Sequence, residues 1–140
     1  MSDAGGDVVL CVDDEVVILM ALKLELKRHY EGRFRVETVT SPDAAIAAAN
    51  AFRAGGARVV LVITDWIMTG MRGDELVAEL RESWPDMKAV LITGRDDADL
   101  IDSARRMELF SARIPKPWRP EALHSAIESC LDSNHGRSQG

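Results

Sequence analysis

Residues 8–15 read VVLCVDDE, an apolar run that passes directly into three consecutive carboxylates. A run this short, rich in β-branched residues and apolar on both faces, is the pattern of a strand buried on both sides in a parallel sheet. Acids crowded at the end of such a strand repel one another, and a low-dielectric setting strengthens the repulsion. The stretch therefore predicts two things together: a buried strand, and a cation bound at its carboxyl end.

Working outward, residues 34–39, 59–64, 89–93 and 110–114 form further short runs rich in Val and Ile, each read as a strand. Helical patterns lie between and after them. Residues 16–30 place Leu19, Leu22 and Leu26 on one face and Lys23 and Lys27 on another, with Gly32 just beyond. Ser41 is placed to cap a second helix, with Pro42 at its first position and Gly55-Gly56 as its stop. Residues 74–84 carry Leu76, Leu80 and Trp84 at helical spacing before Pro85. Residues 97–108 and 120–131 are the fourth and fifth helices, both with acids in the first turn, where the helix dipole favours them.

Strand followed by helix, five times over, predicts an α/β fold, a five-stranded parallel sheet with five helices on its two faces; the arrangement taken for it is the doubly wound order 2-1-3-4-5. Residues 1–6 are expected to be a flexible amino terminus, 7–132 one domain, and 133–140 a disordered polar tail.

Composition narrows the function. A 46% hydrophobic, 29% charged chain is ordinary for a globular protein and excludes intrinsic disorder. The net charge of -6, with no basic run longer than Arg105-Arg106, lacks the electrostatic footprint of a nucleic-acid binder. Cys11 and Cys130 have no metal or redox spacing and read as small buried residues. With neither a signal-peptide pattern nor an apolar stretch of ~20 residues, the expectation is a cytoplasmic protein with no membrane partner. His29, His124 and His135 are scattered and read as solvated.

In open parallel sheets, ligands bind beyond the carboxyl ends of the strands, where the strand order reverses. The first predicted strand ends in Asp13-Asp14, the third in Asp65, the fourth in Thr93, and the fifth reaches Lys116. Singly, each is ordinary: an Asp after a strand commonly forms a turn or caps a helix, and Asp14 is placed to cap the first. Together they bring three acids, a hydroxyl and an ammonium to one crevice. Oxygen ligands without His or Cys select a hard cation, and magnesium, which keeps several waters, suits the site better than calcium. A carboxylate beside such an ion can accept a phosphoryl group, with Lys116 and the Thr93 hydroxyl holding its other oxygens.

These residues resemble the response-regulator receiver family, the CheY-like phospho-accepting domains of two-component signalling with a flavodoxin-like fold. The likeness rests on the acidic pair in VDDE, ITDWIM with Asp65, ITG with Thr93, and Lys116-Pro117. It implies Asp65 as the phosphorylation site; Asp13, Asp14, Asp65 and the backbone carbonyl of Ile67 as ligands of Mg2+; Thr93 and Lys116 as phosphoryl contacts; and a cis Lys116-Pro117 bond. It further implies a signalling receiver, not an enzyme beyond self-phosphorylation and autodephosphorylation at Asp65. The expected partners are a histidine kinase or phosphotransfer protein and a downstream protein target or output domain. A homodimer through the fourth helix, fifth strand and fifth helix is also implied, with no nucleic acid.

Several positions depart from the family pattern. Thr69 stands where a proline usually follows the methionine, leaving Gly70 and Gly73 to supply a flexible turn. Arg113 stands at the switch position, where the family usually has an aromatic that swings inward. An arginine cannot enter an apolar slot without an acidic partner. Pro115 lacks a ladder donor, which fits an edge strand. Ile67 and Arg95 are expected to flank the mouth of the site. The alternatives are a degenerate receiver acting as a phosphorylation-independent interaction module, or a small Mg-dependent aspartyl-phosphate phosphohydrolase. The second is disfavoured because Ile67 stands where such an enzyme needs its general acid.

Overall fold

The computed structural model describes residues 6–94 and 109–139, with side chains described as far as Leu131. Its elements follow in order as β1 (Asp7–Val12), α1 (Val16–His29), β2 (Arg35–Val39), α2 (Pro42–Ala54), β3 (Arg58–Asp65), α3 (Gly73–Ser83), β4 (Lys88–Thr93), β5 (Ala112–Pro115) and α4 (Pro120–Gln139). All neighbouring strands pair in parallel, as the alternation of patterns predicted, and their order is the expected β2-β1-β3-β4-β5. The helix expected over residues 97–108, and Arg95 before it, lie outside the described residues.

The sheet separates two cores. Val9 and Cys11 face α1 and α4, packing with Leu19, Leu22, Leu26, Leu123 and Ile127; Val8, Leu10 and Val12 face α2 and α3, packing with Ala45, Ala49, Leu76 and Leu80. This is the period-2 alternation of a strand buried on both faces. In β3 the alternation breaks. Val8 pairs with Val59 but Val9 pairs with Leu61, so Val60 is an extra residue and both Val60 and Leu61 join the α1/α4 core. Cys11 and Cys130 are buried free thiols, and burial pushes Cys11 up to about 12.

Ser41 caps α2 as expected, its hydroxyl accepting from Ala44 N at 3.1 Å. Asp14 does not cap α1; the N-cap position is Glu15, whose side chain makes no capping bond. β5 begins at Ala112 because Phe110 turns into the α2/α3 core, and Pro115 lies on the edge strand.

α4 is longer than the helix read over residues 120–131 and continues to Gln139. Residues 132–139 contain no proline, and a single glycine costs about 1 kcal/mol relative to alanine, so polarity alone was no stop signal.

His124 is not solvated. Its Nε2 lies 2.7 Å from Glu25 and its Nδ1 3.2 Å from the Tyr30 hydroxyl, while its ring stacks on His29 at 3.7 Å, tying α4 to α1. Its spacing within α4 carried no sign of these neighbours from α1.

Gly73 is not part of a flexible turn. It opens α3, donates from N to the Trp66 carbonyl at 2.7 Å, and packs so closely that a Cβ there would overlap the Asp65 carbonyl oxygen. Gly70 is the residue that turns the loop, at φ +98°. Gly73→Ala is therefore expected to destabilise by about 2 kcal/mol through steric overlap. Gly70→Ala, with open space around its Cβ, should cost about 1 kcal/mol through φ alone. Thermal unfolding of the two variants checks the order, and a tolerated Gly73→Ala would contradict the close approach.

Candidate functional site

The chain leaves β1 for β2 on one side and returns to β3 on the other, so the order reverses at the carboxyl ends of β1 and β3. The register pairs Cys11 with Ile63 and Val12 with Thr64, bringing Asp13 and Asp65 to adjacent strand ends. Asp65 in turn pairs with Ile92, so Thr93 stands one step beyond at the end of β4. Lys116 N donates to the Thr93 carbonyl at 2.7 Å, fixing the start of the loop after β5, and the Lys116-Pro117 bond is cis.

Four of the five expected side chains meet in this crevice. Carboxylate oxygens of Asp13, Asp14 and Asp65 lie within 4.8 Å of one another. The Lys116 ammonium reaches Asp13 at 3.2 Å and Asp65 at 3.1 Å. Thr93, the fifth, is buried at the neighbouring strand end. Asp13 accepts from Glu15 N at 2.8 Å, and Asp65 from Trp66 N at 2.8 Å, so backbone amides orient both carboxylates. Asp14 is exposed at the rim. Ile67, in the loop after Asp65, is 48% exposed.

Arg113 is exposed on β5, opposite Leu91, and therefore occupies no apolar slot. Trp66 points away from the crevice and is wholly buried in the α2/α3 core, while Trp118 packs against the α1/α4 core.

Sequence reading passed over Glu15. Its carboxylate takes the Lys116 ammonium at 3.1 Å, so three carboxylates contact that one cation, with Asp14 beside them. The signal was present in the third acid of VDDE, but only the fold shows that the first turn of α1 brings it back over the crevice.

The electrostatics follow from this imbalance. Burial, then the charge of Asp13, push Asp65 up to about 6 despite Lys116 and the Trp66 amide. Burial also raises Asp13, against the Glu15 amide and Lys116. Burial alone would lower Lys116, but the charges of Asp65 and Asp13 outweigh it and hold its proton more firmly than usual. An all-oxygen site with this excess of negative charge fits a hard divalent cation.

Comparison with known proteins places this architecture in a family. Residues 9–128 match the model of the response regulator receiver domain. The chain belongs to that family. It is 32% identical to the hydrogenase transcriptional regulatory protein HoxA of Cupriavidus necator, over 89% of this chain and 24% of that protein. It is 30% identical to the transcriptional regulatory protein GlrR of Escherichia coli, over 90% and 26%. The chain thus spans about a quarter of the length of these relatives.

Among solved structures, it resembles an uncharacterized protein of Neptuniibacter caesariensis, with TM-score 0.79, 32% identity, and coverage of 95% and 93% of the two chains. It also resembles a receiver domain of Clostridium thermocellum, with TM-score 0.77, 25% identity, and coverage of 92% and 97%. As a receiver, the protein is a phospho-accepting signalling module of two-component systems. Among the described residues, no helix is long and apolar enough to cross a membrane.

The raised Asp65 value sets a pH dependence for the metal-free protein. The unfolded carboxyl titrates near ~3.9, so between about pH 4 and 6 the native state binds more protons than the unfolded state, and stability falls as pH rises. In a chelating buffer at pH 7.5, Asp65→Asn is expected to be more stable than the parent by about 2 kcal/mol. The gap should close by about pH 4. Urea unfolding at both pH values measures it; a variant no more stable at pH 7.5 would contradict the electrostatic cost.

Proposed function

We propose that this receiver takes a phosphoryl group onto Asp65 from a phosphohistidine of a histidine kinase or phosphotransfer protein, in the cytoplasm and with Mg2+. The observation that carries the reading is the convergence of Lys116 on Asp13 and Asp65 at 3.2 and 3.1 Å, with Asp14 completing the oxygen cluster. Mg2+ held by Asp13, Asp14, Asp65 and the Ile67 backbone carbonyl would supply neutralisation of charge on the transferred oxygens.

An Asp65 carboxylate oxygen attacks phosphorus as the phosphorus–nitrogen bond breaks, and the imidazole departs with the electron pair. Lys116 exchanges its bond to Asp65 for one to a phosphoryl oxygen, and the Thr93 hydroxyl donates to another. The shift at Thr93 then biases the surface around β5 and α4 toward a downstream target. Exposed Arg113 supplies no buried aromatic, so the switch operates here through Thr93 and the backbone pairing of β4 with β5.

Intact mass after incubation with Mg2+ and a small acyl phosphate should show a single labile phosphoryl adduct, absent with chelator and absent from Asp65→Asn. Absence of any adduct, with tryptophan fluorescence still responding to Mg2+, would point instead to a metal-binding interaction module. Exposed Ile67 screens the mouth of the site from attacking water, so Ile67→Asn is expected to shorten the phosphoryl lifetime. A decay rate equal to that of the parent would count against that role.

A further inference from the structure

Among the described residues, the one strand neighbour of β2 is β1, so a row of β2 N–H and C=O groups faces away from the sheet. The two edges of the sheet differ. β5 carries Pro115, which cannot donate to a further strand, whereas β2 contains no proline and pairs with β1 in unbroken register along its length. β2 is therefore the edge suited to take another strand.

A cleft of about 620 Å³ lies against that edge, between β2 and the carboxyl-terminal half of α1. Val36 points into the α1/α4 core, while the Arg35 guanidinium lies 5.1 Å from the Phe52 ring of α2 on the other face, and both residues line the cleft. Residues that face opposite ways line one cleft only along the edge of their strand. By the same alternation Glu37 shares the α2 face with Arg35, and the charges there cancel.

On the α1 side they do not cancel. Lys23, Lys27 and Arg28 line the cleft, are exposed, and have no ion-pair partner among the described residues. Glu31 is the lining acid not already matched by Arg35. In a chain of net charge -6 this is a local reversal of sign. The helix dipole accounts for Lys27 and Arg28 in the last turn of α1, but not for Lys23 a turn earlier. Lys23 and Lys27 stand about 6 Å apart along the helix. Residues on one face of a strand repeat at about 6.8 Å. As the crossover between β1 and β2, α1 runs back alongside them, so an added strand can set alternate side chains on the two ammonium groups.

A second copy of this chain is a poor occupant. Two β2 strands paired antiparallel about their centres would oppose Glu37 to Glu37, and each would bring its own Lys23, Lys27 and Arg28 toward those of the other. We propose that the edge of β2 takes an extended acidic segment of another protein, added to the sheet as a sixth strand with alternate carboxylates on Lys23 and Lys27. Arg35 pairs with Val8 near the start of β1, so this end of the cleft lies about 16 Å from Asp13 along the strand. The added segment leaves the acidic crevice and the first turns of α1 open, and requires nothing of the phosphoryl chemistry proposed above.

The probe is a short fluorescent peptide that alternates glutamate with threonine, titrated with the full chain at low salt and followed by anisotropy. It should bind, and Lys23→Glu combined with Lys27→Glu should weaken it by roughly tenfold or more, with an unchanged circular dichroism spectrum because both positions are exposed. Bound peptide should also slow amide hydrogen exchange within residues 35–39, which a contact with side chains alone would not do. No binding up to about 1 mM overturns the proposal. Equal binding of a peptide that alternates glutamine with threonine overturns its acidic character. Lysine-dependent binding that leaves exchange in residues 35–39 unchanged, and that inorganic tripolyphosphate reproduces, overturns strand addition in favour of a small-anion site.

Discussion

The structure depends on holding like charges together. β1 and β3 are buried along their lengths and locked in parallel register, so the acids that end them cannot separate without breaking the centre of the sheet. Lys116, fixed by its amide to Thr93, offers one positive charge against Asp13, Asp65 and Glu15. Burial first, and the charge of Asp13 second, therefore raise Asp65 in spite of that ammonium. The same rigidity keeps the carboxylate oxygens of Asp13, Asp14 and Asp65 within 4.8 Å of one another, an arrangement that suits a hard cation.

Rigidity comes from the layer beneath the crevice. Asp65 and Trp66 are adjacent but face opposite ways, one into the polar site and the other into the α2/α3 core. Gly73 lets the start of α3 press on the same two residues, and the Arg72 guanidinium closes the corner by binding Asp74 at 2.9 Å and lying 5.9 Å over the Trp66 ring. A displacement of Asp65 would therefore disturb packing on the far side of the sheet. Among the described residues, the buried indole N–H of Trp66 has no hydrogen-bond partner.

Much of this was legible from residue order. The apolar runs are short and apolar on both faces, which leaves a parallel sheet as the consistent solution, and the polar residues fall at strand ends, where that topology binds ligands. Asp13, Asp14, Asp65, Thr93 and Lys116 were found this way because each is adjacent in sequence to the strand that positions it. The edge placement of Pro115 followed from its missing donor.

What sequence alone determined was therefore the fold and the acids that cluster at its strand ends, because local periodicity and strand-end position are properties of neighbouring residues. What only the tertiary structure decided were contacts between segments far apart in the chain: Glu15 on Lys116, Gly73 under Asp65, and His124 between Glu25 and Tyr30. The outer stripe of α1 belongs with these, since Val17, Met20 and Leu24 are as apolar as the inner leucines and only packing against the sheet chooses which stripe is left to water.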